Sequence, residues 1–462
     1  MDRDGSWLPR LDGSSGVSLH GRLMEALARD IGAGALQPGT RLPTHRDLAR
    51  RLGISIGTVT KAYGEAERRG LVASRVGRGT FVAGAREGGG RGGEAVDLAL
   101  NLPPPGAATA ARLAEALAAL RRRRDLGELT RYPPPFGFDR HRRAGARWLE
   151  AHGFPGAAGR EVAVTMGAQH AIALALAALA KRGDTILVEA ASFHGIKTLA
   201  EHGGYRLQGL AMDGEGLRPE ALDEAARPGA VLYTMPTLHN PTGRVMGGER
   251  RQAIAEIAAQ RGLWIVEDDA YGALLPPGAA PPPLSALLPR RSLYLTSLSK
   301  TLMPGLRTGF LVLPLGEPAI GERVARAVQA TAIASSAFGP AVAAQWIENG
   351  TAEAMLAETR REAAARLRRA GEILGRPAPL REATASLHLW VDLPALEAER
   401  VAGRALREGV AVTPADAPII DGGLISGLRI CLGAAPDRAA LERGLGVVAA
   451  ALRAAPEDRL IL

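Results

Sequence analysis

Between residues 97 and about 455, continuous apolar runs alternate with segments of helical periodicity, and this alternation narrows the fold more than any other feature. Residues 161–166 (EVAVTM), 185–190 (TILVEA), 231–236 (VLYTMP), 263–269 (LWIVEDD) and 292–298 (SLYLTSL) read as strands. AIALALAALA and RRQAIAEIAAQRG, at 171–180 and 250–262, read as helices between them. Strands that are apolar throughout, rather than at every second residue, are buried on both faces, which requires a mostly parallel sheet flanked by helices. From about residue 315, helix-rich sequence leads to SLHLWVDL and GLRICLG, a smaller C-terminal α/β unit.

The first ninety residues follow a different pattern. Leu19, Leu23, Leu27 and Ile31 recur at i, i+4 and predict an amphipathic helix. Thr44 is placed to cap a short helix, HRDLARRL, which Gly53 ends. Ser55 caps a second helix whose Val59 and Tyr63 face the first, and two short strands follow around Gly77-Arg78-Gly79. This order is that of a winged helix-turn-helix, in which the second helix of the pair enters the major groove and the hairpin touches backbone or minor groove. The domain is expected over residues 15–83 and a flexible Gly-rich linker over 84–96. An α/β domain is expected over 97–455.

Charge agrees with that division. The chain carries a formal +9, and residues 19–82 hold eleven Lys/Arg against five Asp/Glu, leaving only +3 elsewhere. A basic module on a nearly balanced body fits a polyanion such as double-stranded DNA, although a solvated charged face has the same composition. Arg46, Ser55, Gly57, Thr58, Thr60, Lys61, Arg75 and Arg78 are the candidate DNA contacts. No run approaches the roughly 20 apolar residues that span a bilayer, and the acidic amino terminus does not read as a secretion signal. A single cysteine, Cys431, excludes an internal disulfide and points to a reducing cytoplasm. No membrane association and no metal are expected.

Only four of the 57 basic residues are lysines, and one of them, Lys300, lies in Ser297-Leu-Ser299-Lys300-Thr-Leu-Met-Pro-Gly-Leu-Arg307. An amine able to form a Schiff base thus lies beside two hydroxyls and a guanidinium suited to phosphate, so the segment can hold the aldehyde and phosphate of pyridoxal 5'-phosphate. Other candidates stand where predicted strands end, the place at which open α/β sheets bind ligands. Ala168 and Gln169 begin a helix whose amino terminus suits an anion. Phe193 offers a flat face for a pyridine ring, and Asn240, in Asn-Pro-Thr-Gly, offers an amide. Asp268 ends a buried strand, where a carboxylate needs a partner such as a protonated pyridine nitrogen, with Tyr271 three residues on. Arg429, a charge within an apolar strand, suits capture of a ligand carboxylate, and Tyr132 is a candidate phosphate contact across a dimer interface. Each motif also has a plain structural reading: a turn, a core aromatic or an internal ion pair.

The order of these motifs resembles the fold-type I aminotransferases over residues 97–455. Leu42-Pro43-Thr44, Arg46-Asp47-Leu48-Ala49, Leu52-Gly53-Ile54-Ser55, Gly57-Thr58-Val59 and Gly77-Arg78-Gly79-Thr80-Phe81-Val82 resemble the GntR family of bacterial regulators. Together the two resemble the MocR subgroup. The resemblance implies a head-to-tail homodimer that binds promoter DNA and pyridoxal phosphate and senses the cofactor itself, a small amino-containing effector, or both. It implies the following roles: Lys300 as the Schiff-base lysine, Asp268 at the pyridine nitrogen, and Asn240 and Tyr271 at the phenolic oxygen. Ala168, Gln169, Ser297, Ser299 and Arg307 would hold phosphate, and Arg429 the ligand carboxylate. The alternative is an aminotransferase acting on an amino acid, with an accessory DNA-binding module. The sequence departs from the common patterns at Ala191 (often proline), Phe193 (usually tyrosine) and Ile56 (often arginine).

Overall fold

The computed structural model describes residues 7–9, 19–32, 35–36, 39–68, 71–75, 79–82, 95–375 and 385–454. The chain divides into two compact units, residues 1–94 and 95–462.

In the first unit, α1 (Leu19–Gly32), α2 (His45–Leu52) and α3 (Ile56–Arg68) are followed by an antiparallel hairpin, β1 (Val72–Arg75) and β2 (Gly79–Val82). The Thr44 hydroxyl accepts from the Asp47 N–H at 3.2 Å and so caps α2, which Gly53 closes in the left-handed conformation at φ 65°. Ser55 plays the capping role for α3, its hydroxyl accepting from the Thr58 N–H at 3.1 Å. Leu23 and Leu27 from α1, Leu48 from α2, and Val59, Ala62 and Tyr63 from α3 make one core with Val72 and Val82 of the wing. Leu19 does not join it: 42 % exposed, it begins α1 outside the buried stripe. Arg78 and residues 84–94 lie outside the described residues, as does the Arg75 side chain.

The second unit is built on a seven-stranded sheet. Its strands are β4 (Val162–Thr165), β5 (Thr185–Glu189), β6 (Arg206–Leu210), β9 (Val231–Thr234), β10 (Trp264–Asp268), β11 (Ser292–Ser297) and β12 (Gly309–Val312), after β3 (Val96–Leu98) and around a small hairpin, β7 (Met212–Asp213) and β8 (Gly216–Leu217). The spatial order is β4-β12-β11-β10-β9-β5-β6, parallel except for β12. Strands β4, β9 and β11 are buried along their whole length, as continuous apolar runs require. One face packs on the helix Ala168–Leu179 and the other on Gly248–Arg261, which places apolar cores on both sides. A smaller module pairs β13 (His388–Asp392) with β15 (Gly427–Cys431), and β14 (Val410–Val412) with β3, under the helices Thr351–Leu374, Ala395–Arg407 and Arg438–Arg453. No helix among the described residues is long and apolar enough to cross a membrane.

Candidate functional site

The parallel strands all end on one edge of the sheet, and the loops that leave it carry most of the candidate ligand-binding groups. After β4, Gly167 (φ 94°) turns the chain into the helix Ala168–Leu179, leaving its first amides free to face an anion. Arg307 lies beside this turn in the left-handed region at φ 46°, uncommon for a side chain larger than glycine, and donates from Nη2 to the Met166 carbonyl at 2.9 Å. A Cβ at Gly167 would come within 3.3 Å of that guanidinium, so glycine keeps the space between helix and arginine open. After β11, the Ser297 hydroxyl donates to that of Ser299 at 3.1 Å, and the turn continues into Lys300. Helix amides, hydroxyls and guanidinium are the donors a phosphate takes.

Asp268, at the end of β10, is buried and accepts from the Tyr233 hydroxyl at 2.8 Å and from the Ala270 N–H at 3.1 Å. Burial pushes its carboxyl up to about 6 despite those donors. Lys300 has its amine lowered to about 8, first by burial and then by the Arg429 charge, and donates to the Asn101 carbonyl. It lies 5.9 Å from the centroid of the Tyr271 ring. The Tyr271 hydroxyl accepts two amide protons, from Asn101 Nδ2 at 3.1 Å and Asn240 Nδ2 at 3.4 Å. Its own proton is therefore available to a third atom. Arg429 donates to Asn240 Oδ1 (2.7 Å), Thr413 Oγ1 (3.0 Å) and the Ala99 carbonyl (3.2 Å). These partners are neutral, so its positive charge faces the site without a carboxylate bonded to it. Asp268, Tyr271, Asn240 and Arg429 are each at most 4 % exposed.

Phe193 follows β5, partly buried, and its ring meets that of His194 edge-on at 4.9 Å. Gly195 makes the ring position possible, because a Cβ there would stand 2.4 Å from the phenyl and 2.3 Å from Gln169 Oε1. The structure thus joins Lys300, Tyr271, Asn240 and Arg429 through hydrogen bonds and one amine–ring contact, and groups Ser297 with Ser299 and Arg307 with the turn before Ala168. Tyr132 is not among them. It is 77 % exposed on a Pro-rich surface loop. Lys197, which reads in sequence as an ordinary amphipathic position, holds three carbonyls of one loop, those of Asp416, Ala417 and Ile419, at 3.1–3.3 Å.

Sequence reasoning missed Asn101, Tyr233, Thr413 and His388. Tyr233 was hidden because VLYTMP reads as pure core; only the register Val266↔Tyr233 shows it beside the strand carrying Asp268. Asn101 sits in Leu-Asn-Leu-Pro, which reads as a proline loop. A polar residue followed by a rigid Pro-rich run just after a strand was the available signal.

On the first unit, Arg46, Ser55, Gly57, Thr60 and Lys61 are exposed along α2 and α3, and Thr58 is partly so. Thr58 and Ser55 share a hydroxyl–hydroxyl bond of 2.8 Å, while Thr60 bonds the Ile56 carbonyl at 3.0 Å and His45 Nδ1 at 3.2 Å. Ile56 stands out among them at 49 % exposed, an apolar group on a polar face.

Fold and site together define a pyridoxal-phosphate-type aminotransferase scaffold carrying a helix-turn-helix. Residues 94–448 match the family described as aminotransferase class I and II, and residues 19–82 match the bacterial regulatory proteins of the gntR family. The chain belongs to both families, the combination found in MocR-type regulators. It is 32 % identical to the uncharacterized HTH-type transcriptional regulator YisV of Bacillus subtilis, over 75 % of this chain and 78 % of that protein. It is 28 % identical to the probable rhizopine catabolism regulatory protein MocR of Rhizobium meliloti, over 74 % of each. Among solved structures, the α-aminoadipate aminotransferase LysN of Thermus thermophilus, complexed with N-(5'-phosphopyridoxyl)-L-leucine, superposes with a TM-score of 0.68 at 29 % identity, covering 77 % of this chain and 92 % of that one. The kynurenine aminotransferase of Pyrococcus horikoshii superposes with a TM-score of 0.69 at 25 % identity, covering 78 % and 91 %.

Proposed function

We propose that this protein is a DNA-binding transcription regulator that holds pyridoxal phosphate at Lys300 and reads an amino-containing effector through it. The observation that carries this reading is the convergence of Lys300, Tyr271, Asn240 and Arg429 on one buried site, with Asp268 at the same sheet edge, in a chain that also bears a GntR-type helix-turn-helix. The residues present fit the cofactor: an amine, a buried carboxylate, a phenolic oxygen held by two amides and an anion cradle lie at one sheet edge. When bound, pyridoxal phosphate supplies an aldehyde that links amines and a ring that withdraws electrons.

The protein's own groups act as follows. Lowered to about 8, Lys300 is about one-quarter neutral at pH 7.5, against about 0.1 % for an ordinary lysine, so its nitrogen is a competent nucleophile. Asp268, kept in place by Tyr233, can pair with a protonated ring nitrogen, an interaction that favours its ionised form. Tyr271 directs its proton outward because both of its bonded neighbours are donors. Arg429 presents a guanidinium anchored by Thr413 and Asn240, suited to a carboxylate. On the other unit, Arg46, Thr60 and Lys61 meet the duplex, and Arg75 and Arg78 are further candidate contacts. The protein works in the cytoplasm as a head-to-tail homodimer, whose paired units read two half-sites.

The test is direct. Full-length protein is assayed against a panel of amino acids for transamination, and for promoter-fragment affinity with each compound and pyridoxal phosphate present. A compound that shifts DNA affinity without sustained turnover supports the regulator. Rapid turnover with DNA affinity unmoved by every compound overturns it in favour of an enzyme with an accessory module.

A further inference from the structure

The segment that emerges from the linker is part of the ligand site. Immediately after β3, the Ala99 carbonyl accepts from Arg429 Nη2 at 3.2 Å, from the Thr413 hydroxyl at 3.3 Å and from Cys431 Sγ at 3.2 Å. Two residues on, the Asn101 carbonyl accepts from Lys300, and Asn101 Nδ2 donates to the Tyr271 hydroxyl. The orientation of that amide is set by His388. Burial and the Arg429 charge lower this imidazole to about 3, so it is neutral, and its Nε2 lies 3.0 Å from the His239 carbonyl. Nε2 is then the donor and Nδ1 the acceptor, 3.0 Å from Asn101 Nδ2. The other amide atom, Asn101 Oδ1, is buried with no protein partner.

The strap is also stiff on its upstream side. Asp97 Oδ1 accepts from the Ala99 and Leu100 N–H groups at 2.8 and 3.0 Å, and β3 is paired with β14 from Val96↔Val410 to Leu98↔Val412. Downstream, a Cβ at Gly433 would lie 1.7 Å from the Leu102 carbonyl, so the strap is pinned against β15's exit.

We infer that residues 97–101 couple the ligand site to the DNA-binding unit, with Asn101 as the positioning residue for Tyr271 and Lys300. This rests on the regulatory reading above. The chemistry gives the direction. Condensation of the Lys300 amine with an aldehyde, which releases water, would leave at most one proton on that nitrogen for the Asn101 carbonyl, and a carboxylate on Arg429 would compete with the Ala99 carbonyl. Both changes fall on one short stretch, and Val96 at its head is the first strand residue after the linker.

Wild type, Asn101→Ala and Asp97→Ala are compared at saturating pyridoxal phosphate, using a duplex from the region upstream of this chain's coding sequence. Asp97 touches none of the reacting groups, so Asp97→Ala tests the strap apart from the site. The fold-change in DNA dissociation constant that cofactor causes is expected to shrink toward one in both variants, to less than about a third of the wild-type fold-change, within the range of ordinary site-to-site coupling. Asn101→Ala is also expected to move the pH midpoint of the bound cofactor's visible band, because Tyr271 loses a donor. Hydrogen exchange of amides 96–102 in wild type is expected to change several-fold on adding cofactor. A responsive wild type with equally responsive variants, or unchanged exchange in this segment, overturns the strap alone. A wild type whose DNA affinity ignores cofactor and every amino acid overturns the regulatory reading and the strap together.

Discussion

The two units solve opposite problems with their polar residues. In the aminotransferase-like unit Asp268, Tyr271, Asn240 and Arg429 are buried, and their partners come from far along the chain: Asn101 with Tyr271, Asn240 with Arg429, Tyr233 with Asp268. In the helix-turn-helix unit the candidate contacts are exposed and are held by near neighbours, Ser55 by Thr58 and Thr60 by Ile56. A buried polar group that loses its partner leaves an unsatisfied atom, at a cost of about 1–3 kcal/mol. An exposed one is resolvated at little cost. The ligand site should therefore respond sharply to substitution and to pH, and the DNA surface mainly to salt.

The largest expected effect is the loss of covalent attachment. Lys300→Ala abolishes the borohydride-reducible link to pyridoxal phosphate, read by intact-mass spectrometry, while weaker noncovalent binding persists through Arg307 and Asn240. A reduced adduct on Lys61, Lys181 or Lys197 of the wild type instead would remove the assignment.

Next is the support of Asp268. Tyr233→Phe deletes one donor to a buried carboxylate, a bond of about 1.5–3 kcal/mol that is already made without cofactor, so cofactor affinity should weaken by clearly less than the roughly hundredfold that the whole bond would give. Visible absorption titration measures this. Unchanged affinity would mean that the buried network is scaffolding only.

The pH dependence follows from Lys300. Its amine is lowered to about 8, so the neutral, nucleophilic fraction grows as pH rises and levels off above that value. The rate of linkage formation should increase about tenfold between pH 6 and 7, with the slope flattening above pH 8. Asp268, raised to about 6, adds ionised carboxylate over the lower part of the same range and steepens the rise below pH 6. Stopped-flow absorbance at constant ionic strength checks this, and a flat profile contradicts it.

The smallest effects belong to the exposed surface. Arg46→Ala and Lys61→Ala should each lower the log–log salt slope of DNA binding by about 0.9 if each neutralises one phosphate. Both should leave unfolding within about 0.5 kcal/mol of wild type. A clear loss of stability in either variant would erase the contrast between the two units.

The sequence alone determined the local and periodic part of this protein. Continuous apolar runs require strands buried on both faces, so the parallel sheet was legible, as were the Thr44 and Ser55 caps and the Gly53 stop, whose partners lie within a few residues. Lys300, Asp268, Tyr271, Asn240 and Arg429 were legible because each is a polar group in an apolar setting, at or near a strand end. Only the tertiary structure decided which distant groups complete the site. Asn101 reaches Tyr271 across 170 positions, and Ala99 reaches Arg429 across 330. Such pairs leave no periodicity in the chain, because sheet order and register, not sequence spacing, bring them within hydrogen-bond reach.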